Sequence, residues 1–177
     1  MNAIETHALT RRFGPRTAVD GLDLTVRQGE LFALLGVNGA GKTTTLRMLS
    51  GLLQPTSGEA DILGFRLTQQ PQEIKRRINL SPQETAVAPN LTVRENLELI
   101  AGIYGASRRE AAQRAAETIA EFRLGEVERS RAKTLSGGWQ RRLSIAMALI
   151  SQPQLVFLDE PTLGLDVLAR RELWQVI

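Results

Sequence analysis

The stretch that decides the fold runs from residue 31 to residue 43 and reads LFALLGVNGAGKT. Its first part, Leu31–Leu35, is entirely apolar, which predicts a short β-strand buried on both faces. Its second part, Gly36–Thr43, matches the pattern G-x-x-x-x-G-K-[ST]. A helical stretch, Lys42–Ser50, follows and closes at Gly51. A strand, a glycine-rich loop and a helix in this order predict a phosphate-binding loop.

Each residue type in this loop suits the binding of phosphate. Glycines let backbone N–H groups approach phosphate oxygens, and the positive end of the following helix attracts anions. Lys42 can reach the outer phosphates of a nucleoside triphosphate, and the Thr43 hydroxyl can bind Mg²⁺. The alternative is a glycine-rich turn that matches the pattern by chance. The residues expected to hold the nucleotide here are Gly36, Val37, Asn38, Gly39, Ala40, Gly41, Lys42, Thr43 and Thr44.

A second apolar run ends in two acidic residues. Leu155–Leu158 predicts another buried strand, and Asp159 and Glu160 follow it directly. Beside a phosphate site, Asp159 can hold Mg²⁺ and Glu160 can polarise a water molecule for attack on the terminal phosphate. In isolation, the same pair would be interpreted as solvated side chains at the end of a strand.

Composition excludes several classes of site. The sequence has no cysteine and one histidine, His7, so disulfides, thiolate metal sites and multi-histidine metal sites are excluded. The net charge is +3, but the basic residues are scattered, and nucleic acid is not an expected partner. No apolar run approaches the roughly 18 residues that a membrane-spanning helix needs. The N-terminus also lacks the apolar core of a signal peptide, which predicts a cytoplasmic location.

The other elements follow from turn residues, capping patterns and hydrophobic periodicity. The predicted strands are Ile4–Leu9, Leu22–Val26 and Ser57–Leu63, and the predicted turns are Gly14–Pro15 and Gln28–Gly29. Thr92-x-x-Glu95 and Ser107-x-x-Glu110 are predicted capping boxes, in which a hydroxyl and a carboxylate satisfy the first N–H groups of a helix. Further helices are predicted over Gly137–Ile150 and Val167–Ile177.

Residues 135–142 read LSGGWQRR, and Leu-Ser-Gly-Gly followed by Gln-Arg-Arg closely resembles the signature segment of the ATP-binding cassette (ABC) ATPases. The phosphate loop, Gln83, the acidic pair and residues 161–166, which resemble the D-loop of that family, follow in the order that the family has. The resemblance therefore covers essentially the whole chain. It implies an α/β fold with a P-loop NTPase core, an N-terminal antiparallel β portion and a helical insert subdomain.

The resemblance also implies a division of the chain. One ABC ATPase domain is expected over residues 1–177, with 1–83 and 151–177 as the nucleotide-binding core and 84–150 as the helical subdomain. The C-terminal strands of the family, with their switch histidine, are expected to be missing from these 177 residues, so that turnover by this chain would be slow. His7 is expected to be a half-buried structural residue on the first strand.

In the family, two cassettes share each nucleotide. The resemblance implies that Ser136, Gly137 and Gly138 bind the γ-phosphate held by the partner's loop, and that Phe13 stacks on adenine, where tyrosine is more usual. By itself, Phe13 could equally be a core residue. Trp139 stands where the family usually has glutamine, and an indole cannot replace an amide acceptor. The implied catalytic residues are Glu160, Lys42 and Gln83, and the implied metal ligands are Thr43, Gln83 and Asp159.

The expected function is that of an ATP-hydrolysing subunit, dependent on ATP and Mg²⁺, that powers transport through separate membrane-spanning subunits. It would form a homodimer or cassette heterodimer, dock its membrane partners near residues 83–99, and lie peripherally on the inner face of the cell membrane. Residues 51–58 and the arginine-rich signature helix resemble the exporter-type subfamily. Two alternatives are a soluble ABC ATPase that acts on ribosomes or nucleic acid, and an ATP-binding fragment deficient in hydrolysis.

Overall fold

The computed structural model describes residues 1–175, which form two units, Met1–Asn79 and the residues from Leu80 onward. The first unit is built on an antiparallel four-stranded sheet in the order β2-β1-β3-β4, and this confirms the predicted antiparallel β portion. Its elements are β1 (Asn2–Phe13), β2 (Arg16–Arg27), α1 (Lys42–Leu49), β3 (Ser57–Ile62), β4 (Phe65–Arg66) and α2 (Pro71–Lys75). The predicted turns at 14–15 and 28–29 are both present.

One strand predicted in this unit is wrong. The structure has no strand over Leu31–Leu35, and Leu31 and Leu35 are 77% and 87% exposed. A strand buried on both faces needs a hydrogen-bonded neighbour along its edge and a packed layer on each face. In the part of the chain that the structure describes, no strand pairs with these residues. Their apolar pattern is therefore not used for a strand here.

The expectation for His7 is also wrong. Its side chain is 61% exposed, and its Nε2 atom lies 3.5 Å from a carboxylate oxygen of Glu5 on the same strand. His7 pairs with Glu59 of β3, and its neighbours Thr6 and Leu9 are the residues that face the core. The histidine is thus a surface residue of the sheet rather than a half-buried one.

The second unit is mainly helical, with a two-stranded sheet of β5 (Ile78–Ser81) and β6 (Leu155–Leu158). Its helices are α3 (Val93–Ile103), α4 (Arg108–Glu121), α5 (Gly137–Leu149) and α6 (Val167–Trp174). The helices share one apolar core, with Leu97, Ile119, Phe122, Leu143 and Ile145 among its buried members. Strand β6 has the predicted bounds, but only Phe157 of its four residues is buried.

The two predicted capping boxes are confirmed. The Thr92 and Ser107 hydroxyls accept from the backbone N–H groups of Glu95 and Glu110, whose carboxylates accept from the cap residues in return. The predicted last helix begins at Val167 as expected, and residues 176 and 177 of that prediction lie outside the described residues. Within residues 1–175, no helix is both long enough and apolar enough to cross a membrane.

A buried asparagine organises the loop that precedes α3. Asn96 is completely buried, and its side-chain oxygen accepts from the backbone N–H of Ala88 at 2.8 Å. Its amide group donates to the carbonyl oxygens of Ala88, Leu91 and Thr92. The backbone of this loop also bonds to the segment before α5, since the N–H of Ala132 donates to the Leu91 carbonyl. One side chain therefore bonds to four backbone groups of this loop, and it is the acceptor for the Ala88 N–H.

Replacement of Asn96 by alanine should lower the free energy of unfolding by about 2–3 kcal/mol, because the loop loses the hydrogen bonds of a completely buried amide and the Ala88 N–H loses its acceptor. Asn90 lies on the same loop but is exposed and bonds only to Lys133. The variant Asn90→Ala should therefore change stability by less than about 0.5 kcal/mol. Urea denaturation measures both, and equal losses in the two variants would contradict the role given to Asn96.

Candidate functional site: phosphate loop, acidic pair and signature helix

The glycine that closes the phosphate loop has no room for a side chain. Gly41 has a φ of 85°, a conformation that residues with a Cβ rarely adopt. A Cβ atom placed on Gly41 would also lie 2.3 Å from the carbonyl oxygen of Ala18 on β2. The loop is therefore seated directly on the hairpin, and only glycine permits that approach. Helix α1 starts at Lys42, directly after the loop, and the positive end of a helix attracts anions.

The Lys42 side chain folds back over this loop. Its Nζ atom donates to the carbonyl oxygens of Gly36 at 2.7 Å and Val37 at 3.1 Å. The loop is further tightened by a bond from the Ala40 N–H to the Val37 carbonyl. Thr43, at the next position of α1, is exposed and Thr44 is half-buried. A positive charge thus lies over an exposed loop whose glycines leave the backbone accessible.

Two side chains of the hairpin complete the first unit's part of the site. Phe13 is 46% exposed, which rules out the core position left open by the sequence, and the guanidinium of Arg11 lies 4.6 Å from its ring centroid. Arg16 was not singled out from the sequence, although it begins β2 close to the loop. Its Nη2 atom lies 3.9 Å from the position that a Cβ would take on Gly39. The only sign of Arg16 in the sequence was that a basic residue directly follows the predicted turn at Gly14–Pro15.

In the second unit, the acidic pair follows β6 as predicted. Asp159 is buried, and its backbone N–H donates to the carbonyl of Ser81 on the neighbouring strand. Glu160 is half-buried, with a φ of 47°, although it carries a side chain and precedes a proline. Such left-handed conformations are costly and persist where the surroundings impose them. The backbone thus turns at Glu160, directly after the buried Asp159.

The turn is bound by a residue that the sequence did not reveal as important. Arg141 of α5 is only 3% exposed. Its Nε atom donates to the Pro161 carbonyl at 3.1 Å, and its Nη2 atom donates to the Asp159 carbonyl. Its Nη1 atom donates to the carbonyls of Pro82 and Gln83. Burial lowers the pKa of Arg141, and the negative charges of Asp159 and Glu160 oppose that effect. The only available signal was its place in the signature segment.

These bonds bring several predicted residues together within the second unit. Gln83 is exposed in the loop after β5, and its carbonyl is held by Arg141, the same side chain that holds the acidic turn. Gln140 adds a parallel connection: its amide donates to the carbonyls of Ala132 and Leu135, and its oxygen accepts from the Thr85 hydroxyl at 3.5 Å. The start of α5 is therefore bonded both to the loop after β5, which carries Gln83, and to the turn after β6, which carries the acidic pair.

The signature residues stand at the N-terminus of α5. Ser136 is the N-cap residue, and its side chain makes no capping bond to the helix. Together with Gly138, it lines a pocket of about 390 Å³ that Trp139, Arg142 and Asp166 also border. The Arg142 guanidinium lies 5.0 Å from the Trp139 ring centroid, and the ring packs against the helical core. The indole of Trp139 thus forms an apolar side of the pocket at the position where the family usually has glutamine.

The predicted metal ligands offer a hydroxyl, an amide oxygen and a carboxylate, which is an all-oxygen set. Mg²⁺ prefers such donors and commonly takes one or two carboxylates together with substrate phosphates. Asp159 satisfies the requirement for a carboxylate, and its backbone is fixed on both sides, by Ser81 and by Arg141. No cluster of three or more acidic or histidine side chains forms a metal site in residues 1–175.

Comparisons with known proteins show which family this chain resembles. The family model described as "ABC transporter" matches residues 19–163. The daunorubicin/doxorubicin resistance ATP-binding protein DrrA of Streptomyces peucetius is 45% identical over 175 residues, covering 99% of this chain and 53% of that protein. The linearmycin resistance ATP-binding protein LnrL of Bacillus subtilis is 37% identical over 174 residues, covering 98% of this chain and 56% of that protein. The chain thus spans about half the length of these curated relatives.

A solved structure gives the corresponding result for the fold. A dimeric ATP-binding cassette in a post-hydrolysis state, bound to ADP and Pi, has a TM-score of 0.86 and 28% identity, covering 98% of this chain and 80% of that one. This likeness, with the matched family model, confirms the predicted fold class. The chain therefore belongs to the ABC transporter family of ATP-binding proteins.

Proposed function

We propose that this chain binds and hydrolyses ATP, with Mg²⁺, to drive the export of a small molecule through separate membrane-spanning subunits. The observation that carries the proposal is the phosphate loop, in which the Lys42 ammonium lies over the Gly36 and Val37 carbonyls. A cation at this position neutralises charge on the outer phosphates, while backbone N–H groups bind their oxygens. The ring of Phe13, exposed on the same unit, would stack on adenine.

The acidic turn supports hydrolysis rather than binding alone. Glu160 would accept a proton from the attacking water, and Gln83 would orient that water from the neighbouring loop. Mg²⁺ supplies charge neutralisation at the phosphates when bound, with Thr43, Asp159 and Gln83 as the proposed ligands. Asp159 is buried and Glu160 is half-buried at a backbone turn, and in this proposal the first carboxylate serves the metal while the second serves the water.

A second cassette would complete the site. Ser136 has a hydroxyl free of a capping bond at the start of α5, and Gly137 and Gly138 expose the first N–H groups of that helix. These groups suit the γ-phosphate bound by a partner's loop. The solved relative is described as dimeric, which supports an assembly of two cassettes. The partner would be a second copy of this chain or a related cassette. No nucleic acid partner is proposed.

The membrane partner is proposed from the exposed face of α3. Leu99, Ile103 and Tyr104 are 46%, 67% and 43% exposed at the end of this helix, next to the predicted docking region 83–99. Apolar side chains grouped in this way commonly mark a protein interface. The relatives DrrA and LnrL are both resistance proteins, which supports export. The proposed location is peripheral, on the inner face of the cell membrane.

Replacement of Lys42 by alanine should weaken ATP binding about tenfold or more, equivalent to at least about 1.4 kcal/mol, because the loop loses its cation. Lys75→Ala provides a matched control, since Lys75 is an exposed lysine of the same unit at the end of α2. Titration with a fluorescent ATP analogue measures both variants. Equal affinity in the wild type and Lys42→Ala would overturn the assignment of the phosphate loop.

Replacement of Glu160 by glutamine should lower kcat about 10²-fold or more while ATP binding is retained, since only the proton acceptor is removed. The variant should also accumulate as an ATP-bound dimer, which size-exclusion chromatography with ATP detects. Glu126→Gln is the matched control, because Glu126 is exposed outside the site. Full turnover by Glu160→Gln would place the base elsewhere.

Affinity purification distinguishes the proposed transporter role from the alternative role on ribosomes or nucleic acid. From detergent-solubilised membranes, the tagged protein should recover membrane-spanning subunits. The triple substitution Leu99→Ser, Ile103→Ser and Tyr104→Ser should reduce that recovery, because it removes the exposed apolar face of α3. Recovery of ribosomes or nucleic acid instead, unaffected by the substitutions, would support the alternative.

A further inference from the structure

The turn that carries Glu160 is held by three successive backbone carbonyls. Arg141 binds the carbonyl of Asp159 through Nη2 and that of Pro161 through Nε. The carbonyl between them, that of Glu160, accepts from the backbone N–H of Leu163 at 3.0 Å. All three peptide units around the acid therefore have a fixed orientation, and one side chain accounts for two of them.

This restraint coincides with local strain. Glu160 has a φ of 47° and precedes Pro161, a combination that local sterics disfavour. A residue in such a conformation relaxes unless its neighbours hold it. The guanidinium of Arg141 is well suited to hold it, because a planar fork fixes directions that a single point of attachment cannot.

The same guanidinium also bonds to the loop that carries Gln83, the residue proposed to orient the attacking water. Its Nη1 atom donates to the carbonyls of Pro82 and Gln83. At 3% exposure, the side chain has exchanged water for these four carbonyl oxygens, so its geometry is determined by the protein alone. The position of Glu160 relative to Gln83 is therefore set through one residue of α5.

We propose that Arg141 is a positioning residue for hydrolysis: it imposes the strained backbone of Glu160 and so aims the carboxylate at the attacking water. The inference rests on the proposed function, since it assigns Glu160 the role of proton acceptor. The guanidinium of Arg141 donates to main-chain carbonyls, so the residue would act through Glu160 and not on the nucleotide or the water directly. Its contribution should appear in kcat and not in ATP affinity, because the phosphate loop belongs to another part of the chain.

The test is a double-mutant cycle on the purified protein. Arg141→Met should lower kcat about 10²-fold with KM for ATP unchanged within twofold, because small displacements of a catalytic group are costly. Arg141→Lys should lose about tenfold, since an ammonium keeps the charge but satisfies fewer of the carbonyls. Arg109→Met, at an exposed arginine of α4, should retain wild-type turnover. In the Glu160→Gln background, Arg141→Met should cause no further loss, because its effect passes through Glu160.

Hydrogen exchange provides a readout that does not require turnover. In Arg141→Met, amides of residues 159–165 should exchange faster, while those of residues 36–43 keep the wild-type rate. Should Arg141→Met fail to fold in a thermal melt, Arg141→Lys carries the same cycle. Wild-type kcat in the Arg141 variants, or losses that multiply in the double variant, would overturn the inference. A wild-type protein with no ATPase activity at all would instead overturn the proposed function, and the inference with it.

Discussion

A buried guanidinium has to replace its lost hydration with oxygen acceptors, and this requirement organises the second unit. Arg141 meets it entirely with backbone carbonyls, from the loop after β5 and from the turn after β6. Carbonyls are contributed by every residue, so the bonds tie segments together without depending on particular side chains in them. The nearby carboxylates of Asp159 and Glu160 also favour its charged form. Helix α5, which begins within the signature segment, is thereby joined to the loop that carries Gln83 and to the turn that carries Glu160.

The first unit depends on a different constraint, the absence of a side chain. Gly41 fits against Ala18 because nothing projects from it, and this contact seats the phosphate loop on β2. The loop therefore takes its position from the hairpin, and the α1 helix continues from there. In one unit a large polar side chain fixes the backbone, and in the other a missing Cβ permits two backbones to meet. The contacts of Arg141 and of Gly41 both fix the position of main-chain groups rather than of side chains.

Elements whose signals are local could be predicted from the sequence. The capping boxes at Thr92 and Ser107 were predictable because both partners lie within four residues. Strand β6 followed from a short apolar run, and the start of α5 followed from Ser136, a residue type that favours the N-cap position. Leu31–Leu35 was mispredicted because burial of a strand depends on distant partners, which hydrophobicity alone does not reveal.

The residues of the candidate site likewise fall into those with a local sequence signal and those whose role depends on distant partners. The phosphate loop and the acidic pair have compact patterns with a direct chemical meaning, and their roles as site residues stay predictions. Arg141 could not have been found in this manner, since its four acceptors lie 18 to 59 residues away and are all main-chain atoms. The left-handed backbone at Glu160 was equally hidden, because no residue type marks it. How the core and helical subdomains divide the chain stays a prediction.

The indole of Trp139 gives this protein an optical property. It is one of two tryptophans in the sequence, and it borders the pocket at the start of α5 beneath the guanidinium of Arg142. Indole emission responds to polarity and to nearby cations, so movement of Arg142 or filling of the pocket would change its intensity and wavelength. Trp174, the other tryptophan, is 48% exposed and does not line that pocket. With Trp174 replaced by phenylalanine, the intrinsic fluorescence would report on the signature helix alone, without any attached label.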